Sequence, residues 1–177
     1  DLEPQVIGPA GQFERQLSVT GPLDLDVRTG SGSIDIRTGG SGQVRIVGKI
    51  KAHRGFWNSS SAEGRVRAIE ANPPVEQSGN TIRIGDVGDQ DLYRNVSISY
   101  EITLPAEANV RSRTGSGSQR IDSLNGRVEA QTGPGSVRLG RITGAVVATT
   151  GSGSIDVLGA GGGLSARTGS GWIEAAG

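Results

Sequence analysis

The chain has 177 residues, enough for one domain with a substantial core. It carries 18 basic and 18 acidic residues, and a zero net charge argues against nucleic acid as the main partner, because phosphate binding needs excess positive charge. Cysteine is absent, which excludes a disulfide framework and thiolate chemistry, and no apolar stretch reaches the roughly 18 residues of a membrane span.

The N-terminal part, residues 1–47, predicts short strands separated by glycine-rich turns. The chain begins at Asp1 without a basic and apolar leader, so we expect that a signal or an anchor has been removed. Apolar and polar residues alternate over 23–27, 34–36 and 44–46, which is the pattern of strands with one buried face. Thr-Gly turns separate these strands, and one inserted glycine breaks their spacing.

The middle part, residues 48–108, departs from this pattern. Residues 62–70 predict a short helix that stops near Pro73, and residues 81–84 and 96–104 alternate as strands do. We interpret this part as longer, irregular coils of the same domain, so that one domain covers 1–177.

The C-terminal part, residues 109–177, is a regular repeat. Glycine occupies every ninth position from Gly117 to Gly171, with mostly aliphatic residues two and four positions later. Thr-Gly pairs recur every 18 residues, starting at Thr114. The spacing predicts an all-β fold, a parallel β-helix or β-solenoid with coils of about 18 residues and two strands per coil, plus one short helix. Val137 and Ile155 are expected inside the stack, and the threonines in a side-chain ladder.

One junction carries a resemblance to a known family. The strand 96–104, then Pro105, then the Thr-Gly-Ser-Gly motif at 114–117, resembles a bacterial family of glycine-rich β-strand repeats called putative adhesins or a domain of unknown function. The resemblance covers residues 17–177. It implies a parallel β-helical fold and an exported protein that is periplasmic, at the outer surface or anchored in the envelope. The family contributes no catalytic motif.

Catalytic and metal-binding patterns are sparse. Calcium-binding nonapeptides place aspartates in the turn, whereas Asp35 and Asp156 come one position later and point outward from a strand. His53 is the single histidine, and without cysteine zinc has no ligand set. The Gly-Ser-Gly motifs recur in every coil and are turns rather than nucleophile elbows. We therefore predict a protein that is not an enzyme and needs no cofactor, although acidic side chains can still meet across strands.

Two places are candidate partner-binding sites. His53, Arg54, Phe56 and Trp57 combine cationic and aromatic groups suited to a glycan or a surface protein, although Phe56 and Trp57 can equally fill the core. Trp172 stands in the register of a serine series and is expected to point outward. That serine series consists of Ser118, Ser136 and Ser154.

The sequence thus predicts a non-catalytic, exported β-solenoid that acts as a structural or adhesin-like module of the bacterial envelope. The alternative is a polysaccharide-binding or polysaccharide-acting β-helix. Because a solenoid ends in unpaired backbone groups, we also expect end-to-end self-association or a continuing chain at the C-terminal coil.

Overall fold

The structure is a computed structural model that describes residues 10–40, 42–52, 59–85 and 96–176. Within them the chain forms two sheets and the helix α1 (Ser59–Ala71). Sheet A contains β1 (Ala10–Ser18), β3 (Ile34–Thr38), β4 (Gln43–Ala52), β7 (Val96–Leu104), β9 (Gln119–Ile121), β11 (Val137–Ile142), β13 (Ile155–Ala160) and β15 (Ile173–Ala175). Sheet B contains β2 (Leu23–Ser31), β5 (Val75–Ser78), β6 (Thr81–Ile84), β8 (Ala108–Ser116), β10 (Val128–Pro134), β12 (Val146–Ser152) and β14 (Leu164–Ser170).

The spatial order of the strands shows how the sheets are built. Sheet A runs β1-β4-β7-β3-β9-β11-β13-β15, and sheet B runs β14-β12-β10-β8-β2-β6-β5. The prediction of an all-β chain with one short helix is confirmed. Neither sheet closes into a barrel.

From β8 onward, successive strands alternate between the two sheets, and each pairs in parallel with the strand two positions further along the chain. Val137 lies opposite Ile155 and Val128 opposite Val146, so the register offset is 18 residues in both sheets. Val137 and Ile155 are completely buried in the one hydrophobic core between the sheets. The predicted 18-residue spacing and the inward direction of these side chains are confirmed.

A ladder of threonine hydroxyls holds the Thr-Gly turns together. Thr132 is buried, and its hydroxyl donates to the carbonyl oxygen of Gly117 at 2.8 Å and to that of Pro134 at 3.3 Å. The following Gly135 has φ +144°, and a Cβ there would lie 2.1 Å from the Gly117 oxygen. The turn therefore stacks on the turn before it only because no side chain intervenes.

The N-terminal part corrects the prediction of a wholly parallel fold, because both sheets are mixed. β4 pairs antiparallel with β1 and β7, and β5 pairs antiparallel with β6. β3 and β4 therefore run in opposite directions within sheet A, and the chain does not pass to sheet B between them. Gly79 and Asn80 form a two-residue hairpin turn, with Gly79 at φ +61°, and such turns join only antiparallel strands.

Helix α1 confirms the predicted helix at 62–70 and ends before Pro73, which cannot continue it. The helix packs on β1 and β4, burying Val66 and Ile69. Its Glu70 carboxylate accepts the backbone N–H of Gln12 at 2.9 Å. Within the described ranges, no helix is long and apolar enough to cross a bilayer.

Candidate binding surfaces on the outer faces of the sheets

Of the five predicted binding residues, the structure describes Trp172. His53, Arg54, Phe56 and Trp57 lie outside the described residues, so their role stays a prediction. Trp172 is 72% exposed on the outer face of sheet A, directly before β15. Its carbonyl oxygen accepts the backbone N–H of Ile155.

The outer face of sheet A is a regular grid, because alternate residues of each strand point outward and the strands stand in parallel register. One line of the grid is a serine column that leads to Trp172, and beside it runs a column of charged side chains. The serine column contains Ser33, Ser118, Ser136 and Ser154. The charged column contains, in spatial order, Glu101, Asp35, Arg120, Arg138, Asp156 and Glu174.

A groove of about 910 Å³ runs along the charged column across five strands. On its other side the outward residues become small or apolar toward the C-terminal strands, where Gly140, Leu158 and Ala176 line it. Leu158 is 59% exposed there. The groove is therefore a long open track with charged groups on one wall and a partly apolar opposite wall.

The charges of this groove are paired loosely. Arg138 approaches Asp156 at 4.0 Å and Arg37 approaches Asp35 at 3.3 Å, and both pairs are open to solvent. Exposed pairs of this kind contribute little to stability. The Arg120 side chain makes no ion pair or hydrogen bond within the part of the chain that the structure describes. Its guanidinium is therefore available to an incoming acceptor.

At the far end of the charged column, Glu101 is held more tightly. Lys49 donates to it at 2.8 Å, and this hydrogen bond and the charge of Lys49 keep the pKa of Glu101 below its ordinary value. Farther along the same sheet, the hydrogen bond from Arg45 at 2.8 Å lowers the pKa of Glu14 in the same way. Both carboxylates are therefore charged acceptors at neutral pH.

The grid offers carboxylate, guanidinium and hydroxyl groups as hydrogen-bonding partners. Asp156 and Glu174 are direct neighbours across β13 and β15, so two carboxylates meet one strand spacing apart, as the sequence allowed. Asp156, however, faces Arg138 on an open surface rather than an enclosed cleft. Among the described residues, no group of three or more His, Cys, Asp or Glu side chains is placed to hold a metal ion.

Sheet B presents a second outer face in which opposite charges alternate. Asp26 lies between Arg83 and Arg111 in the register, and Arg111 pairs with Glu129 at 3.0 Å. These residues line a groove of about 440 Å³. The groove is lined by three acidic and three basic residues, so this part of sheet B is closer to neutral than a site for one sign of charge.

The similar proteins found are solved structures. No protein-family model and no curated protein sequence matches the chain. A putative cell adhesion protein from Clostridium sporogenes is 12% identical, with a TM-score of 0.56 over 93% of this chain and 99% of that one. A putative adhesin from Bacteroides fragilis is 12% identical over 93% of this chain and 96% of that one, with a TM-score of 0.26. The first comparison shows that the fold is shared with the Clostridium protein.

Proposed function

We propose that this chain is a non-catalytic, adhesin-like module exported to the bacterial envelope, with a β-solenoid architecture. The observation that carries the proposal is the grid on the outer face of sheet A, in which parallel strands repeat outward side chains at one strand spacing. Such a surface is rigid, because each side chain stands on a backbone that is hydrogen-bonded on both sides. A rigid row of equivalent groups suits contact with an extended partner.

The fold similarity supports the same role. The Clostridium protein is named a putative cell adhesion protein, and the similarity extends over nearly the whole of both chains. Adhesion needs many moderate contacts that act together, since linked sites raise the effective affinity without any single strong site. The loosely paired charges along the 910 Å³ groove offer such contacts.

One observation favours the alternative, a polysaccharide-binding or polysaccharide-acting protein. Trp172 is exposed at the end of the serine column, and Glu174 follows it on the same face of β15. An exposed indole offers an apolar face to a sugar ring, while serine hydroxyls and carboxylates can bind its hydroxyl groups. Sugar binding would explain why a large aromatic side chain is exposed to solvent, whereas a purely structural module has no need for one.

The test of the proposed function has two parts. Protease should cleave the full-length protein in intact bacteria or after selective permeabilisation of the outer membrane, whereas cleavage only after complete lysis would contradict export. The purified chain should also bind glycans on an array without releasing reducing ends from them. Release of reducing ends would contradict the non-catalytic proposal and favour a polysaccharide-acting enzyme.

Matched variants locate the binding face. Trp172→Ala should weaken glycan binding if sheet A is the contact surface, whereas Val147→Ala removes an exposed apolar side chain from sheet B and should have no effect. Equal glycan binding by both variants would show that Trp172 does not contribute to glycan binding.

A further inference from the structure

A third groove lies on the outer face of sheet B, beside the Thr-Gly turns. Its volume is about 520 Å³, and no acidic side chain lines it. The outward side chains that line it are Arg28, Arg113, Gln131 and Thr149. It therefore differs from the two grooves described above, which both contain acidic residues.

The register of sheet B aligns these side chains in one row. Arg28 pairs with Arg113, Arg113 with Gln131, Gln131 with Thr149, and Thr149 with Arg167. We call these five residues the basic column. Arg28 and Arg113 are one strand spacing apart, and Arg167 lies three spacings, roughly 14 Å, beyond Arg113.

The side of the basic column next to the turns carries no bulky side chain and is accessible. The next outward position on each strand is glycine, as at Gly115, Gly133 and Gly151, so backbone alone forms that edge of the groove. The threonines between, such as Thr132, turn inward to their carbonyl acceptors. A chain-like ligand can therefore lie along the column without meeting a bulky side chain.

Two arginines of the column, Arg113 and Arg167, have side-chain donors without a partner among the described residues. The Nε of Arg113 is buried and donates to no acceptor among the described residues. Neither Arg113 nor Arg167 forms an ion pair within those residues, whereas Arg111, two positions from Arg113, is paired with Glu129. A carboxylate that reaches the outer nitrogens of the Arg113 guanidinium would form charge-assisted hydrogen bonds that no described acidic residue provides.

We propose that the basic column binds a linear carboxylated polysaccharide, that is, a polymer of uronic acids. The guanidinium groups match carboxylates, and the Gln131 amide and Thr149 hydroxyl between them match sugar hydroxyls. Nucleic acid fits less well, because no aromatic side chain lines the groove to stack bases. An extended peptide would add to a sheet edge rather than lie across a sheet face.

The proposal rests on the surface role proposed above and goes beyond it, because it adds a second binding surface on the opposite face from Trp172. Titration of the purified chain with polygalacturonate should show binding that weakens as salt is added. Arg113→Ala and Arg167→Ala should each lower the affinity roughly tenfold, the amount expected for one charge-assisted hydrogen bond. Arg67→Ala removes the same charge from helix α1, at a residue that lines none of the three grooves, and should bind as the unaltered chain does.

Arg167→Ala keeps the test valid if Arg113→Ala does not fold, because Arg167 is exposed in the edge strand β14. Circular dichroism checks the fold of each variant. Absence of polygalacturonate binding, or equal binding by Arg167→Ala and Arg67→Ala, would overturn the proposal. So would tighter binding of polyphosphate, single-stranded DNA, poly-glutamate or neutral dextran than of polygalacturonate.

The failure of this proposal is distinguishable from that of the proposed function. If the protease test succeeds and polygalacturonate does not bind, only the basic column is wrong. If the column binds polygalacturonate but protease reaches the protein only after complete lysis, the export proposal is wrong and the column stands.

Discussion

Replacement of Gly135 by alanine tests the stacking of the coils. At φ +144° a side chain strains the backbone, and the new Cβ would lie 2.1 Å from the carbonyl oxygen of Gly117 in the preceding coil. The backbone strain costs about 1–3 kcal/mol, and the coils must also separate to relieve the clash, which costs a similar amount. We expect Gly135→Ala to lower the free energy of unfolding by about 3 kcal/mol or more.

Gly159 in β13 provides the matched control. A Cβ at Gly159 would have Arg141 Cγ as its nearest neighbour, at 3.7 Å, which is an ordinary contact. Alanine at such a position restricts the unfolded chain, so Gly159→Ala should stabilise the protein by about 0.4–1 kcal/mol.

Urea unfolding monitored by far-ultraviolet circular dichroism measures both changes. For a small domain, a loss of about 3 kcal/mol lowers the urea midpoint by roughly 1–2 M at unchanged slope. If Gly135→Ala and Gly159→Ala unfold at the same midpoint, the close approach between coils is absent and the reasoning is refuted.

Three further predictions concern the ladder, the core and the surface charges. Thr132→Val keeps the side-chain shape but removes the hydroxyl that donates to two carbonyl groups. Urea unfolding should show that the free energy of unfolding falls by about 1–2 kcal/mol, and no loss would contradict the threonine ladder. Val137→Ala opens a cavity in the core and should lower the free energy of unfolding by about 2 kcal/mol in the same assay. Val147 is 42% exposed, so Val147→Ala should change this free energy by less than about 0.5 kcal/mol. Equal losses in the two variants would place Val137 in solvent. Arg45→Ala removes the group that lowers the pKa of Glu14, so NMR titration of the variant should show the Glu14 pKa rising to its ordinary value. The pKa of Glu14 is lower in the folded state than in the unfolded state, so the stabilisation from the Arg45–Glu14 pair is present above the unfolded-state pKa. This stabilisation is lost as the pH falls through the folded-state pKa. An unchanged Glu14 pKa in the variant would contradict the pairing.

The repeat could be predicted from the sequence because each coil carries the same local pattern. Val137 and Ile155 occupy the same place in successive repeats, and the parallel register follows from stacking repeat on repeat. The antiparallel pairing of β4 with β1 and β7 has no such pattern, since those contacts join segments far apart in the chain. The β5–β6 hairpin did leave a signal, the Gly79-Asn80 pair between two short alternating segments.

The candidate sites depend on pairings that sequence periodicity does not contain. Trp172 could be placed because it belongs to the regular part of the chain. The charged and basic columns instead join the N-terminal strands to the C-terminal repeat. Asp35 lies opposite Arg120 and Arg28 opposite Arg113, although the irregular middle part separates each pair in sequence. No repeat spacing spans that gap, so only the structure brings these groups together.

Cysteine cross-linking tests the central claim most directly, since the chain has no cysteine of its own. Glu129 and Val147 are paired on adjacent strands of sheet B, 18 residues apart, while Arg138, nine residues before Val147, lies on sheet A. The double variant Glu129→Cys with Val147→Cys should form an intramolecular cross-link with mild oxidant or a short bis-thiol reagent, because paired Cα atoms lie within about 4.4–6.8 Å. Arg138→Cys with Val147→Cys should not form one. Cross-linking of the second pair instead of the first would contradict the 18-residue coil.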